Sequence, residues 1–395
     1  MPFITTRVTS ALDATTKNAP LSNAEIDANF ININNAITLS HDVTGFPDRT
    51  SSTISFNTST RTFALSPTGA NFTIYYRGKD YRISSTKTLV LANTSGGHYI
   101  GYDYNSGNLI DLGAQPTISS SILVAYIYWN ASDSAAVIFA DERHSTARDT
   151  TWHHYQHTTV GAIWKSGGDA TYTINNTNTV QVGLTDLVLA DEDIEHNITH
   201  NSTPTGYYDQ ILNTAANLPI LYLSGTVYKQ TTPTTVPWYP SSTRAYYNPV
   251  SGGSGSLAVA ASNDLFLVYW LVATNDMTYP VKLIMGRGTY ASYGEAETEN
   301  FDDYGLPMPE IAPMYKFVLK TSNTYTQNTA RVNIVGVREL FGNQNARGNS
   351  FDTFSHNALS DRFAADQHSI ASITDLQTTL DTVGGAAVAM AIALG

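Results

Sequence analysis

The chain has 395 residues and a formal net charge of -12, with 21 lysines and arginines against 24 tyrosines. This acidic balance does not favour a phosphate backbone, so we expect no nucleic-acid partner. Charged residues make up 14% of the chain, well below the usual quarter, and the many tyrosines suit a β-rich protein with aromatic contact surfaces. The absence of cysteine excludes disulfides and thiolate metal ligands. No apolar run reaches the roughly 20 residues of a membrane span.

Residues 1–45 are predicted to form an extended arm followed by an anchoring helix. Ser22 and Glu25 have the spacing of a capping box, which predicts that a helix begins here. The apolar residues that follow are spaced four, three and four apart, as in a coiled-coil seam: Ile26, Phe30, Ile33 and Ile37. The pattern predicts a short helix that associates with copies of itself.

Residues 46–145 are predicted to form a small antiparallel β module. Three pairs of β-prone runs flank short polar turns, and each pair predicts a hairpin: residues 72–76 with 81–83, 99–104 with 109–112, and 122–129 with 136–140. Residues 141–149 form a charged patch that we expect to end this module.

Residues 146–350 are predicted to form a larger β-sandwich module. Its most hydrophobic runs, residues 265–272 and 281–285, do not alternate with polar residues, which predicts strands buried on both faces. Residues 231–249 and 251–256 are rich in Pro and Gly and are predicted to form surface loops.

Residues 351–395 are predicted to form a linker and a C-terminal coiled-coil helix. A second seam begins with Ile373, Leu376, Leu380 and Val383 and continues to Leu394, although two glycines, Gly384 and Gly385, weaken its centre. The predicted fold is therefore mainly β, with antiparallel β-sandwich modules flanked by short N- and C-terminal coiled-coil helices in a fibrous trimer.

Histidines are concentrated in residues 152–157, which we predict to be a strand. His153 and His157 would then lie roughly 13 Å apart, too far to bind one metal ion. We expect these side chains to pack or to form hydrogen bonds, so we assign no metal ligand. The alternative is a site shared by several subunits on a three-fold axis.

Acidic residues occur in two clusters, and neither predicts an enzyme. Residues 191–195 precede His196 and His200 but lack the spacing of a calcium loop, so we expect a solvated acidic turn. Residues 295–303 form an acidic run that is typical of a surface loop rather than of paired catalytic carboxylates. We assign no catalytic residue and no cofactor.

One loop carries four aromatic residues between prolines, namely Trp238, Tyr239, Tyr246 and Tyr247. Rigid aromatic side chains on a loop suit contact with sugar rings or with a protein partner. The alternative, which the sequence favours, is that these rings pack back onto the sandwich or across a subunit interface.

Two segments resemble those of a known family. The N-terminal PLSNAEIDANF (residues 20–30) resembles the opening of tailed-bacteriophage tail-fibre and tail-appendage proteins. Residues 355–360 and the segment DQHSIASITDLQ (residues 366–377) resemble a linker of such fibres, with Ser369 where proline is usual.

The resemblance implies a structural virion protein in the tail or a tail-associated appendage. Such a protein would be a homotrimer that mediates host adsorption by receptor binding. Its partners would be other phage tail or baseplate proteins and a host cell-surface glycan. One alternative is a connector or adaptor fibre of the neck, capsid or baseplate without receptor contact. A second is a polysaccharide-degrading tailspike.

Overall fold

A computed structural model describes residues 4–6, 14–17, 19–40, 43–113, 121–147, 150–172, 180–307 and 310–340. The predicted linker and C-terminal coiled-coil helix, with Ile373, Leu376, Leu380 and Val383, lie outside these residues. The structure is mainly β, with 46% strand, 11% helix and mostly antiparallel sheets, so the predicted fold class is confirmed at this level.

The helices and strands of the described residues are numbered here in chain order. The helices are α1 (Asn23–Ser40), α2 (Thr150–Thr159) and α3 (Tyr293–Glu297), with 3-10 turns at Arg49–Ser51 and Phe301–Tyr304. The strands up to α2 are β1 (Ile4–Thr6), β2 (Ala14–Thr16), β3 (Ser52–Asn57), β4 (Thr62–Pro67), β5 (Phe72–Tyr76), β6 (Lys79–Ile83), β7 (Lys87–Val90), β8 (Gly96–Asp103), β9 (Asn108–Asp111), β10 (Ile122–Asn130) and β11 (Ala135–Asp141). Those after α2 are β12 (Ala162–Gly167), β13 (Ala170–Thr171), β14 (Gly183–Leu184), β15 (Leu187–Asp191), β16 (Ile194–His200), β17 (Asp209–Gln210), β18 (Ile220–Ser224), β19 (Val227–Gln230), β20 (Tyr246–Tyr247), β21 (Val250–Ser251), β22 (Ser254–Gly255), β23 (Ala258–Val259), β24 (Phe266–Thr274), β25 (Val281–Met285), β26 (Ile311–Thr321) and β27 (Val332–Glu339).

Helix α1 begins at the predicted capping box. The Ser22 backbone N–H donates to Glu25 Oε2 at 2.7 Å, and the Glu25 N–H donates to Ser22 Oγ at 3.3 Å. The seam residues Ile26, Phe30 and Ile33 are 39%, 67% and 42% exposed. The helix therefore presents an apolar stripe to solvent, as a self-associating helix requires. The trimer itself stays a prediction.

The three predicted hairpins are present in the first β region. Strands β5 and β6 pair antiparallel, as do β8 with β9 and β10 with β11. Arg77 and Gly78 form the β5–β6 turn with φ of 49° and 76°, the backbone twist that two-residue hairpin turns favour. Local turn chemistry thus accounts for these pairs.

A six-stranded sheet in the order β19-β18-β25-β24-β26-β27, here called the central sheet, packs between two hydrophobic cores. Successive residues of β24 enter different cores: Leu267 and Tyr269 pack with the sheet that contains β12, β15 and β16, whereas Val268 and Trp270 pack with strands β8, β10 and β11. Because both faces are covered, the predicted two-sided burial of this strand is confirmed. The two predicted β modules also share a hydrophobic core.

The predicted strand at residues 152–157 is wrong, because this segment belongs to helix α2. In a strand, His153, Tyr155 and His157 would share a face. Tyr155 is instead 59% exposed, while the side chains of His153 and His157 are only 12% and 2% exposed. The segment is poor in helix-favouring residues, so tertiary packing overrides local propensity here.

Candidate metal centre

A buried cluster of histidines and carboxylates lies where α2 meets three sheets. We call it the His/carboxylate cluster and define it by seven residues: Glu142, His144, His153, His157, Asp191, Glu192 and Glu310. They come from four separate stretches of the chain, and each of those stretches ends or begins a strand or forms α2. The packing of distant elements therefore creates the cluster.

The first stretch directly follows β11 and begins the charged patch predicted for residues 141–149. The start of this patch is buried, since Asp141, Glu142, Arg143 and His144 are all at most 5% exposed. The Arg143 guanidinium donates two hydrogen bonds to Asp141, at 2.8 and 2.7 Å. Side chains alternate along an extended chain, so Glu142 and His144 point to the other side, into the cluster.

Helix α2 supplies His153 and His157, one turn apart on the same face. The rings of His144 and His153 lie 4.4 Å apart, and those of His153 and His157 lie 6.3 Å apart. The separation of roughly 13 Å expected for a strand therefore does not apply to His153 and His157 in this helix.

The end of β15 and the turn that follows it supply Asp191 and Glu192. This segment was predicted to be a solvated acidic turn, but Asp191 is fully buried and the Glu192 side chain is 2% exposed. Glu192 adopts a φ of 52°, a left-handed conformation that a non-glycine residue rarely adopts outside turns and functional sites. This backbone turn directs the carboxylate inward.

Glu310 immediately precedes β26 and reaches the cluster from the central sheet. Its Oε1 lies 2.9 Å from His157 Nδ1. Glu310 carries no local signal in the sequence, because it is an isolated glutamate beside a proline-rich segment. The usable signal was the histidine density, because four of the ten histidines fall within residues 144–157.

Residues outside the cluster bind one polar atom of each of three cluster side chains. His144 Nδ1 lies 2.7 Å from Asp193 Oδ1. The Asn275 amide donates to Glu142 Oε1 at 3.1 Å and to Asp191 Oδ2 at 2.8 Å. These partners orient the three side chains, which is how metal-binding histidines and carboxylates are commonly supported.

The opposite atoms of the same side chains are buried without a hydrogen-bond partner among the described residues. They include Glu142 Oε2, His144 Nε2 and Asp191 Oδ1. Four further residues have ring nitrogens or carboxylate oxygens that are buried without such a partner: His153 Nε2, both ring nitrogens of His157, Glu192 Oε1 and Glu310 Oε1. Buried polar atoms nearly always have a hydrogen-bond partner. This concentration of buried atoms without one therefore requires an explanation.

Crowded charge in a dry space displaces the pKa values of this cluster. Burial, with the nearby Glu310 carboxylate, raises the pKa of Glu142 to about 7, and burial raises the pKa of Glu192 to about 8. The pKa of Glu310 is also raised well above its usual value by burial. Burial and the positive charge of His144 lower the pKa of His153 to about 3. The positive charge of His144 therefore does not compensate for all of the buried carboxylates.

The predicted aromatic loop packs largely inward. Trp238 is 1% exposed in the core, and Tyr239, Tyr246 and Tyr247 are half-buried against the same core. The Tyr239 and Tyr246 rings lie 5.1 Å apart, and the Tyr239 N–H donates to Tyr269 Oη at 3.1 Å. A binding role for these residues stays a prediction, and burial leaves Trp238 no surface for a ligand.

The acidic run at residues 295–303 is partly structural. It includes the end of α3, and Glu299 accepts a hydrogen bond from Tyr290 at 2.9 Å and another from Tyr304. The Arg287 backbone N–H also donates to Glu299 at 2.6 Å. The prediction of a simple surface loop is therefore wrong for Glu299.

A surface cleft of about 680 Å³ opens elsewhere on the body, beside β17. Tyr207, Tyr279 and Asp209 contribute to its lining. Tyr207 is 46% exposed, and Asp209 is positioned by hydrogen bonds from Thr199 and Asn201 at 2.9 and 3.1 Å. An exposed aromatic ring beside a fixed carboxylate suits contact with a polar ligand.

Comparisons with protein-family models, with curated proteins and with solved structures each returned no match. Among the described residues, no helix is long and apolar enough to cross a membrane. Function must therefore be inferred from the residues of this chain.

Proposed function

We propose that this chain is a structural virion protein of a tailed bacteriophage, a homotrimeric tail-fibre-like component that mediates host adsorption and has no enzymatic activity. One observation carries the proposal: a capped helix with an exposed apolar stripe precedes a β-rich body, within the segment that resembles phage tail appendages. The helix would serve assembly, and the body would contact the host.

Self-association of α1 is supported by the exposed side chains of Ile26, Phe30 and Ile33. Covering them would gain roughly 25 cal/mol for each Å² of apolar surface removed from water. Their heptad spacing suits other copies of the same helix rather than a flat surface. Light scattering of the purified protein should give the mass of a trimer, and a stable monomer would contradict this part of the proposal.

Anchoring to the particle is tested by deleting residues 1–45. The first β region carries its own strands, turns and hydrophobic core, so the truncated chain should still fold. It should no longer be incorporated into particles. Incorporation of the truncated protein would place the anchor elsewhere.

Host contact is supported by the cleft beside β17, whose size suits a few sugar rings. Replacing Tyr207 with alanine should weaken binding of the protein to host cells. Tyr155→Ala is the matched control, because Tyr155 is also exposed but lies on α2 outside the cleft lining. Equal cell binding by both variants would exclude the cleft as the receptor contact.

Electron microscopy of intact particles with labelled protein distinguishes the adsorption role from that of a connector fibre. Two results together would support adsorption: the label lies at a tail tip, and the purified protein blocks infection of host cells. A position between two virion components, without affinity for cells, would instead identify a connector fibre.

A further inference from the structure

Two groups of three cluster residues share no member. We name them group A, formed by His144, His153 and Glu192, and group B, formed by Glu142, His157 and Glu310. In each group, one ligand atom from every residue lies within 4.8 Å of the other two. Asp191 forms a third such group with Glu142 and His144, which connects group A to group B.

Contacts within the groups have hydrogen-bond distances without hydrogen-bond directions. His153 Nε2 lies 3.2 Å from Glu192 Oε2, and His157 Nδ1 lies 2.9 Å from Glu310 Oε1. Neither nitrogen has a hydrogen-bond partner among the described residues. Ligands of one metal ion at roughly 2.1 Å lie about 3.0–3.5 Å from each other, with their lone pairs directed at the ion. The observed contacts fit that arrangement.

Glu192 faces both groups with different oxygens. Its Oε2 is the atom near His153 in group A, whereas its Oε1 lies 3.6 Å from His157 Nδ1 in group B. A carboxylate placed in this way can bridge two ions, one in each group.

Two ions also fit the charge of the cluster when all of its carboxylates are ionised. Groups A and B together with Asp191 contain four carboxylates and three imidazoles. Four buried negative charges would be very unfavourable without counter-ions, and two divalent cations would balance them.

We propose that the His/carboxylate cluster binds two divalent transition-metal ions, one in group A and one in group B. Mixed imidazole and carboxylate ligands suit zinc, manganese, iron(II) or cobalt(II), whereas calcium and magnesium prefer oxygen ligands alone. The ligands are buried, which is typical of a structural centre rather than of an open catalytic one. The ions would join α2 to strands of separate sheets, and this role does not depend on the proposed virion function.

The direct test is the metal content of the full chain, produced in medium supplemented with zinc and purified without chelator. Elemental analysis by inductively coupled plasma mass spectrometry should find two metal ions per chain after gel filtration. One ion per chain would contradict the paired arrangement, and none would contradict the site. Protein produced with cobalt should show the visible absorption of protein-bound cobalt(II), and a spectrum of hydrated cobalt alone would also overturn the proposal.

Matched variants locate the ions. Glu310→Gln keeps the side-chain size and removes a group B ligand, so it should reduce the content to one ion and alter the cobalt spectrum. His154→Gln is the control, because His154 neighbours His153 on α2 but belongs to neither group; it should retain both ions. If Glu310→Gln does not fold, Glu192→Gln is the second variant. It lies in a turn and removes the carboxylate that bridges the two groups. Two ions in every ligand variant, or loss of both in the control, would refute the assignment.

Discussion

A buried ion pair joins the two β regions and gives a quantitative test of how the body is held together. Lys282 Nζ lies 2.5 Å from Asp276 Oδ2, with side chains 1% and 2% exposed. The ammonium also donates to the Val137 carbonyl at 3.2 Å and to Gln230 Oε1 at 3.0 Å. Asp276 Oδ1 in turn accepts the Phe139 N–H at 3.1 Å. The pair therefore ties β11 to β19 and β25.

Lys282→Met preserves the length and apolar stem of the side chain but leaves the Asp276 carboxylate buried without its cation. Removing one partner of a buried pair costs about 3–5 kcal/mol of unfolding free energy. This is a large fraction of the roughly 5–15 kcal/mol that stabilises a typical domain. With a urea m value of about 3 kcal/mol/M, the unfolding midpoint should fall by on the order of 1 M.

Urea unfolding followed by tryptophan fluorescence and circular dichroism measures this loss. Lys320→Met is the control, since Lys320 pairs with Asp264 at 2.9 Å on the surface, where an ion pair contributes little. Adding Asp276→Asn to Lys282→Met should restore part of the stability, because it removes the unpaired charge. Equal midpoint shifts for Lys282→Met and Lys320→Met would refute the reasoning.

Three other substitutions test the anchoring helix and a close backbone contact beside the cluster. Phe30→Asp should dissociate the oligomer. Ile31→Asp should not, because Ile31 is also exposed but lies off the seam. Equal masses of the two variants in light scattering would mean that the seam does not hold the oligomer together. Gly45→Ala should lower the melting temperature, because φ is 136° and the added Cβ would lie 2.6 Å from the His144 carbonyl oxygen. An unchanged melting temperature would mean that the backbone at Gly45 shifts freely.

Features with a signal inside one stretch of sequence were predictable. The Ser22–Glu25 spacing predicted where α1 begins, and this is confirmed because a capping box depends only on residues within one turn. The β5–β6 and β10–β11 hairpins are confirmed for a similar reason: β-prone runs on either side of a short turn need no distant partner. Two-sided burial of β24 followed from its unbroken apolar run.

The sequence by itself thus determined the β class, the hairpins and the capped helix, since apolar periodicity and turn chemistry record which face of an element avoids water. Only the tertiary structure decided that residues 150–159 are helical and that Glu142, His157 and Glu310 are buried together. The burial of a charged or polar side chain depends on partners from other elements, and periodicity within one element contains no information about them. Local patterns therefore gave no sign that these residues lie together, whereas the packing of three sheets against α2 placed them side by side in the interior.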